Sequence, residues 1–540
     1  MNLTPTIILS LLCFCAFGQQ TQTAKPPKNW HLLDRQQDGF EGVSLEKAYK
    51  LLLNGKKPAR QVIVAVIDSG VDYEHPELKN VVWENKKEIP GNGMDDDKNG
   101  YTDDIHGWNF VGNTEAGTFE WIREYIRLRK KFESETDSAV LVKKEGYEYW
   151  KKILKEKDRF YRENRSDKQF VENTLTEYKL LFDYYKKETG KDSIYHETML
   201  AYPVPDGADS LLLASYRKRL EAFSQPSLAG KSLNERRTLF EGLVAMVSKI
   251  ISNADLMIAH NDLAYFSAKE KITAPDVDSG KQYGNNVILP VDDHGTACAG
   301  IIAAQRNNAV GMDGVADNVQ IMPIRIFITA QTDEIDKDVA HAIEYAVDNG
   351  ARIINMSFGK YLSPQKNRVD KAIAYAEKKG VLIVSSAGNE AINVDSIPAF
   401  PTARYLNNKS AGNLIKVGAT SPDSSLVAYY SNYGKNSVDV FAPGSDIYTT
   451  TKGDNYQIES GTSFSAPIVS GIAALLWSYY PSLTYKEIKS CIEKSASPVS
   501  TLVVKPGSNQ LVPFHSLSRM GGIVNAFKAL NLAKDISGKR

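Results

Sequence analysis

Three short segments of this chain hold a carboxylate, an imidazole and a hydroxyl in settings suited to nucleophilic catalysis. Ile67-Asp68-Ser69-Gly70 puts an acid at the end of an apolar, β-branched run and follows it with a glycine able to turn the chain. Asp293-His294-Gly295-Thr296-Ala297-Cys298-Ala299-Gly300 opens on a histidine and continues in small residues, the pattern of a tightly packed helix start. Gly461-Thr462-Ser463-Phe464-Ser465-Ala466-Pro467 leads into the apolar stretch 468–477, which puts Ser463 in the first turn of a long helix. A serine hydroxyl is a poor nucleophile at neutral pH and needs a base beside it. His294 can take that proton, while Asp68 can hold the useful tautomer and stabilise the imidazolium. Free N–H groups at the helix start can face developing negative charge. Asn389, in Ala387-Gly388-Asn389-Glu390 just after an apolar run, adds a side-chain donor for the oxyanion. Each segment alone is common. Their co-occurrence in the order Asp, His, Ser, each at the end of an element, points to acyl transfer. His31, His75, His106, His196, His260, His341 and His515 have no such context.

Such groups need a rigid frame. Apolar runs at 61–67, 319–326, 352–356, 381–385 and 414–417 predict buried strands. Between them, 336–349 and 369–379 carry helical patterns that stop at Gly350 and Gly380. Buried runs alternating with helices predict a three-layer α/β/α architecture around a mostly parallel central sheet. Ligands gather at the carboxyl ends of such strands, where Asp68 and Asn389 fall. Residues 114–280 differ, being rich in Lys, Glu and Tyr. Trp121, Tyr125, Leu128 and Phe132, then Leu175, Tyr178, Phe182 and Tyr185, then Leu243, Val247 and Ile250 have helical spacing. These stripes read as the core of a helical layer, with a binding groove as the alternative, and residues 201–207 read as a link between its two pieces.

A second chemistry lies in residues 95–106. Asp95, Asp97, Asn99 and Asp103 offer oxygens at positions 1, 3, 5 and 9 of an EF-hand-like loop, Gly100 supplies the turn, and Tyr101 can add its carbonyl. Position 12 is His106 where a bidentate Glu is usual. The loop predicts a structural calcium ion, with a solvated acidic loop as the alternative. Zinc is disfavoured because no Cys/His cluster accompanies it.

Composition narrows the class. Lys+Arg and Asp+Glu both total 65, so no charge excess favours nucleic acid or anionic membranes. The apolar run 6–17 is too short to span a bilayer. Ala16-Phe17-Gly18 carries small residues where a signal peptidase reads, which predicts a signal peptide over 1–18 and an exported chain, secreted or periplasmic, without a membrane anchor. An n-region without Lys or Arg leaves a buried N-terminal helix as the alternative. Beyond the signal only Cys298 and Cys491 remain, so one disulfide at most is possible. Cys298, four residues after His294, is expected as a reduced thiol.

Taken together, these segments resemble the subtilisin-type serine peptidases, the subtilase family. The order Asp68, His294, Ser463 is that family's order. Similarity runs through 64–78, 294–302, Asn355-Met356-Ser357-Phe358-Gly359, 387–390, Phe441-Ala442-Pro443-Gly444 and 461–476. The resemblance implies a serine endopeptidase acting on proteins or peptides through an acyl-enzyme, with no cofactor required for the chemistry. It also implies that Ser357, Phe358 and Gly359 pair with the substrate backbone and that Ser386, Ala387 and Gly388 form the other pocket wall. Against the family pattern, Asp68 and His294 stand 226 positions apart instead of a few dozen. The expected domains are therefore 19–113 and 281–540 as the catalytic domain, with 114–280 as a helical insertion. A folded inhibitory propeptide finds no room in 19–67, where the enzyme's own first helix is expected at 44–54. Ala297 and Phe464 replace a histidine and a methionine common in the family, while Cys298 resembles the thiol-bearing members. The narrower resemblance is to exported subtilases of Bacteroidetes-type bacteria, on Leu53-Asn54-Gly55-Lys56, Val347-Asp348-Asn349-Gly350 and the acidic loop. A catalytically silent scaffold of the same fold is the alternative, and a serine esterase of another fold lacks its Gly-x-Ser-x-Gly elbow. A monomer is expected.

Overall fold

The computed structural model describes residues 26–113, 118–135, 137–195, 213, 231–260, 283–328 and 332–539. The expected signal peptide at 1–18 and the expected link at 201–207 lie outside the described residues. The chain divides into two compact units, one of them over Trp121–Tyr265 and the other made of Thr23–Glu120 with Phe266–Arg540.

In chain order the principal helices are α1 (Glu120–Phe132), α2 (Tyr147–Thr189), α3 (Leu233–His260), α4 (His294–Ala303), α5 (Asp336–Asp348), α6 (Lys366–Lys379), α7 (Thr462–Tyr479), α8 (Tyr485–Ser495) and α9 (Ala526–Ser537). The principal strands are β1 (Val62–Asp68), β2 (Trp108–Asn109), β3 (Val319–Arg325), β4 (Ile353–Met356), β5 (Leu382–Ser386), β6 (Leu414–Thr420), β7 (Val440–Pro443), β8 (Ile447–Thr451) and β9 (Asn455–Glu459).

Seven strands form one parallel sheet in the order β2-β3-β1-β4-β5-β6-β7. Its centre explains the near-continuous apolar sequence of β1. Val62, Val64 and Val66 join a core shared with α4 and α7, whereas Ala65 and Ile67 join one shared with α5 and α6. Both faces are covered, so alternation disappears. β1 is registered against β3 from Val62↔Val319 to Asp68↔Arg325 and against β4 from Val64↔Ile353 to Ile67↔Met356. Asp68 is thus fixed by its neighbours at the carboxyl end of the sheet.

Two features differ from the sequence reading in detail. The first helix, expected at 44–54, is a short α-turn at Leu45–Ala48 that continues as π-helix over Tyr49–Leu53. The β8–β9 hairpin leading to Ser463 was not anticipated, because β9 is only half-buried and its residues do not alternate. Residues preceding β1 belong to the sheet's core: Trp30, Leu32, Val43 and Leu45 are buried there, and Ala526 N donates to Val43 O at 2.7 Å.

In the helical unit, Val171, Tyr178, Leu181 and Tyr185 of α2 share a core with Phe240, Leu243 and Val247 of α3. Trp150 stacks on Tyr125 and Phe132 at centroid distances of 5.3 and 5.4 Å. These aromatic stripes are packed inward.

Candidate active site

The end of β1 and the start of α4 approach so closely that side chains are excluded between them. A Cβ on Gly295 would stand 2.1 Å from Gly70 O and 3.2 Å from Asp68 Cβ. This contact brings His294 onto Asp68, with Nδ1 at 2.7 Å from Oδ1. Asp68 is buried and its Oδ1 also accepts from Ser69 N at 2.7 Å. Asp292 braces the same turn, taking the Ser69 hydroxyl at 2.6 Å and His294 N at 2.9 Å on one oxygen. Phe464 lies against the imidazole, with ring centroids 5.6 Å apart.

Burial pulls the His294 pKa down, but the charge and hydrogen bond of Asp68, with the charges of Asp292 and Glu459, outweigh it and lift the imidazole to about 9. Burial pushes the Glu459 carboxyl up to about 7 against the pull of His294.

Ser463 is in the first turn of α7 and is buried. Its hydroxyl donates to Ser357 O at 3.1 Å, and no hydrogen bond joins it to His294 among the described residues. Attack would require that hydroxyl to exchange Ser357 O for the imidazole, a loose ground-state geometry familiar for unliganded sites. The Ser463 carbonyl is held by Ser357 Oγ at 2.7 Å and by the Cys298 thiol at 3.5 Å. Cys298 and Cys491 are both free and buried. Burial, reinforced by Asp68, holds the Cys298 thiol well above its ordinary value. Asp68, His294 and Cys298 offer atoms within 4.8 Å of one another.

Asn389 follows β5 by three residues. Its Oδ1 accepts from Thr462 N at 2.8 Å and from the Thr462 hydroxyl at 2.9 Å, and that hydroxyl accepts in turn from Gly388 N at 3.0 Å. Two donors on Oδ1 fix the amide orientation and leave Nδ2 to point the other way. That nitrogen stands 3.5 Å from the place a Cβ on Gly461 would occupy, beside the turn that carries Ser463. Thr462 is a site residue that sequence reasoning missed. Its signal was its place between Gly461 and Ser463.

Ser357, Phe358 and Gly359 continue from β4, and Ser386, Ala387 and Gly388 from the end of β5, its pairing neighbour. Asn355 braces the 357–359 segment through Nδ2 to Ser357 Oγ at 2.9 Å, while its own Oδ1 accepts from Ser470 of α7 at 2.9 Å.

In the acidic loop, carboxylate oxygens of Glu88, Asp95 and Asp97 lie within 4.8 Å of one another. Glu88 was not in the sequence-derived set. Asp103 turns its two oxygens to Gly91 N and Gly93 N, both at 2.9 Å. Asn99 Nδ2 donates to Asp104 at 3.2 Å, and the Tyr101 ring packs on Trp108 and Tyr345. Converging carboxylate oxygens suit a hard divalent cation, and the residues present fit one.

The peptidase S8 subtilase pattern matches residues 59–521. A thermophilic serine proteinase of Bacillus sp. (strain AK1) is 37% identical over 245 residues, 44% of this chain and 57% of that protein. Thermitase of Thermoactinomyces vulgaris is 35% identical over 225 residues, 42% of this chain and 72% of that protein. The cell wall-associated protease of Bacillus subtilis (strain 168) is 35% identical over 227 residues, with 24% of its length covered. The match thus spans little more than half of the first of these relatives. With a single pattern running from before β1 to beyond α8, the chain belongs to the subtilase family.

Proposed function

We propose that this protein is a serine endopeptidase that hydrolyses peptide bonds through an acyl-enzyme. The observation that carries the reading is the 2.7 Å Asp68–His294 contact set beside the helix turn that presents Ser463. Ser463 Oγ attacks the scissile carbonyl as His294 Nε2 takes its proton, and the imidazolium then protonates the departing amine. Asn389 Nδ2 and the backbone N–H of Ser463 in the first turn of α7 stabilise the oxyanion. Ser357–Gly359 and Ser386–Gly388 grip the peptide backbone by main-chain hydrogen bonds, which gives affinity without demanding one sequence. A calcium ion held by Glu88, Asp95 and Asp97 would neutralise their mutual repulsion and brace the loop, taking no part in the reaction.

Export as a secreted or periplasmic enzyme rests on the sequence pattern of residues 1–18. No described helix is long and apolar enough to cross a membrane. The insertion between Asp68 and His294, with the motifs at 53–56 and 347–350, supports a place among exported subtilases of the Bacteroidetes type.

Treating the purified chain with a fluorophosphonate and mapping the adduct, alongside cleavage of an unfolded protein, tests the proposal. An adduct on Ser463 with loss of cleavage is expected. Cleavage that survives complete modification of Ser463, or a folded chain that neither labels nor cleaves, would overturn it.

A further inference from the structure

The residue after Gly359 is a lysine whose charge never reaches solvent. Lys360 is 3% exposed. Its Nζ lies 2.7 Å from Glu120 Oε2, 2.9 Å from Asp336 Oδ1 and 2.7 Å from Glu334 O. Glu120, Glu334 and Asp336 are buried as well. Asp336 uses its other oxygen to accept from Ser363 Oγ at 3.0 Å and Gln365 N at 2.8 Å, so it is itself rigidly placed.

The backbone of Lys360 is equally constrained. Its N–H donates to Phe400 O at 3.1 Å, and Phe400 N donates back to Lys360 O at 2.8 Å. Gly359 packs under the same carbonyl, where an added Cβ would stand 2.9 Å from Phe400 O. Beyond that bridge a second buried lysine, Lys416 of β6, donates from Nζ to Ala399 O at 3.0 Å. Two buried ammonium groups therefore flank one short backbone bridge behind the 357–359 edge.

Stability alone is a poor account of such a cluster. Removing an ammonium and carboxylates from water is costly, and apolar residues of similar volume often hold a fold as well or better. What an ion cluster adds is a fixed direction for the chain that carries it. We propose that Lys360 is a positioning residue, whose ammonium between Glu120 and Asp336 sets the Ser357–Gly359 edge in the register an extended peptide needs. The inference rests on the peptidase reading above. Glu120 is also the last residue of the larger unit before the chain enters Trp121–Tyr265. Binding energy from an edge of this kind comes from residues remote from the reacting bond. Long peptides use it and small esters do not.

The test compares a blocked tetrapeptide anilide with p-nitrophenyl acetate for wild type, Lys360→Met and Glu120→Gln. For Lys360→Met, KM for the tetrapeptide should rise about tenfold, the worth of one misaligned backbone hydrogen bond. Acetate hydrolysis and fluorophosphonate labelling should stay close to wild type. Glu120→Gln keeps the shape and removes one charge, so a smaller shift in the same direction is expected, and it carries the test if Lys360→Met does not fold. Equal loss on both substrates, or no change in folded variants, would overturn the positioning role. A wild type that labels and cleaves keeps that result separate from the peptidase reading, and one that does neither sinks both.

Discussion

Gly295→Ala is a one-methyl perturbation whose consequence can be worked from distances. The added Cβ would stand 2.1 Å from Gly70 O and 3.1 Å from Gly70 C. Ordinary carbon–oxygen contact is about 3.3–3.6 Å, so a gap of ~1.3 Å must open. Both obstructing atoms are backbone, and no side chain can swing aside. Gly70 follows β1, which is pinned by pairing to β3 and β4, and its neighbours are held by Val291 N to Ser69 O and Val71 N to Ile288 O, so the first turn of α4 must give way. His294 opens that turn and would move off Asp68, from which it now stands at 2.7 Å. A misplacement of about 1 Å costs on the order of 100-fold in rate. Overpacking costs about 1–3 kcal/mol of stability. Steady-state kinetics on one peptide, with a melting curve, should show kcat falling about 100-fold with KM little changed and Tm lowered. Gly242→Ala serves as control, because an added Cβ there meets nothing within 4 Å. A folded Gly295→Ala enzyme with wild-type kcat would refute the claim that this close approach sets the Asp68–His294 geometry.

Three further outcomes follow from the same structure. The base must be neutral to accept a proton, so kcat/KM should rise with pH on a limb near 9, the value to which His294 is lifted. Glu459→Gln removes one nearby anion and should move that limb to lower pH, and an unmoved or upward-shifted limb would contradict the assignment of its charge. Because the folded pKa is raised, the contribution of His294 to stability should be complete below about 6.5 and fade as pH passes about 9. Chelation should lower Tm and speed self-cleavage near 91–106, since an ion bound only by the folded state stabilises it by mass action. An unchanged Tm with the ion shown to be removed would count against the calcium loop. Asn389→Ala should lower kcat by about 100- to 1,000-fold at nearly constant KM, the loss that follows removal of one oxyanion donor in subtilisin. A rise in KM at constant kcat would argue instead for ground-state binding.

The sheet was legible because burial on both faces writes itself into sequence. Val62–Ile67 reads apolar throughout since its alternate residues face different cores. β9 was not legible, because Asn455–Glu459 is half-exposed and held by pairing to β8 more than by its own pattern. Asp68, His294, Ser463 and Asn389 could be named as candidates from types and neighbours, each lying at the end of an element. Contacts made between distant positions could not. Thr462 orients Asn389 across 73 positions, and Lys360 meets Glu120 across 240. Glu88 joins Asp95 and Asp97 from outside the loop's spacing, because it sits where the folded loop returns its backbone N–H groups: Asp96 N at 2.9 Å, Asp97 N and Asp103 N at 3.1 Å.

The central claim is that Ser463 is the attacking group. Alanine at the first turn of α7 keeps the helix and removes only the hydroxyl, so Ser463→Ala should fold as wild type does. The direct measurement is steady-state hydrolysis of one peptide by Ser463→Ala and wild type, with circular dichroism establishing the fold and purification excluding other peptidases. A loss of nearly all turnover is expected, about a million-fold where a triad acts as a unit. A folded Ser463→Ala protein cleaving at the wild-type rate would contradict it.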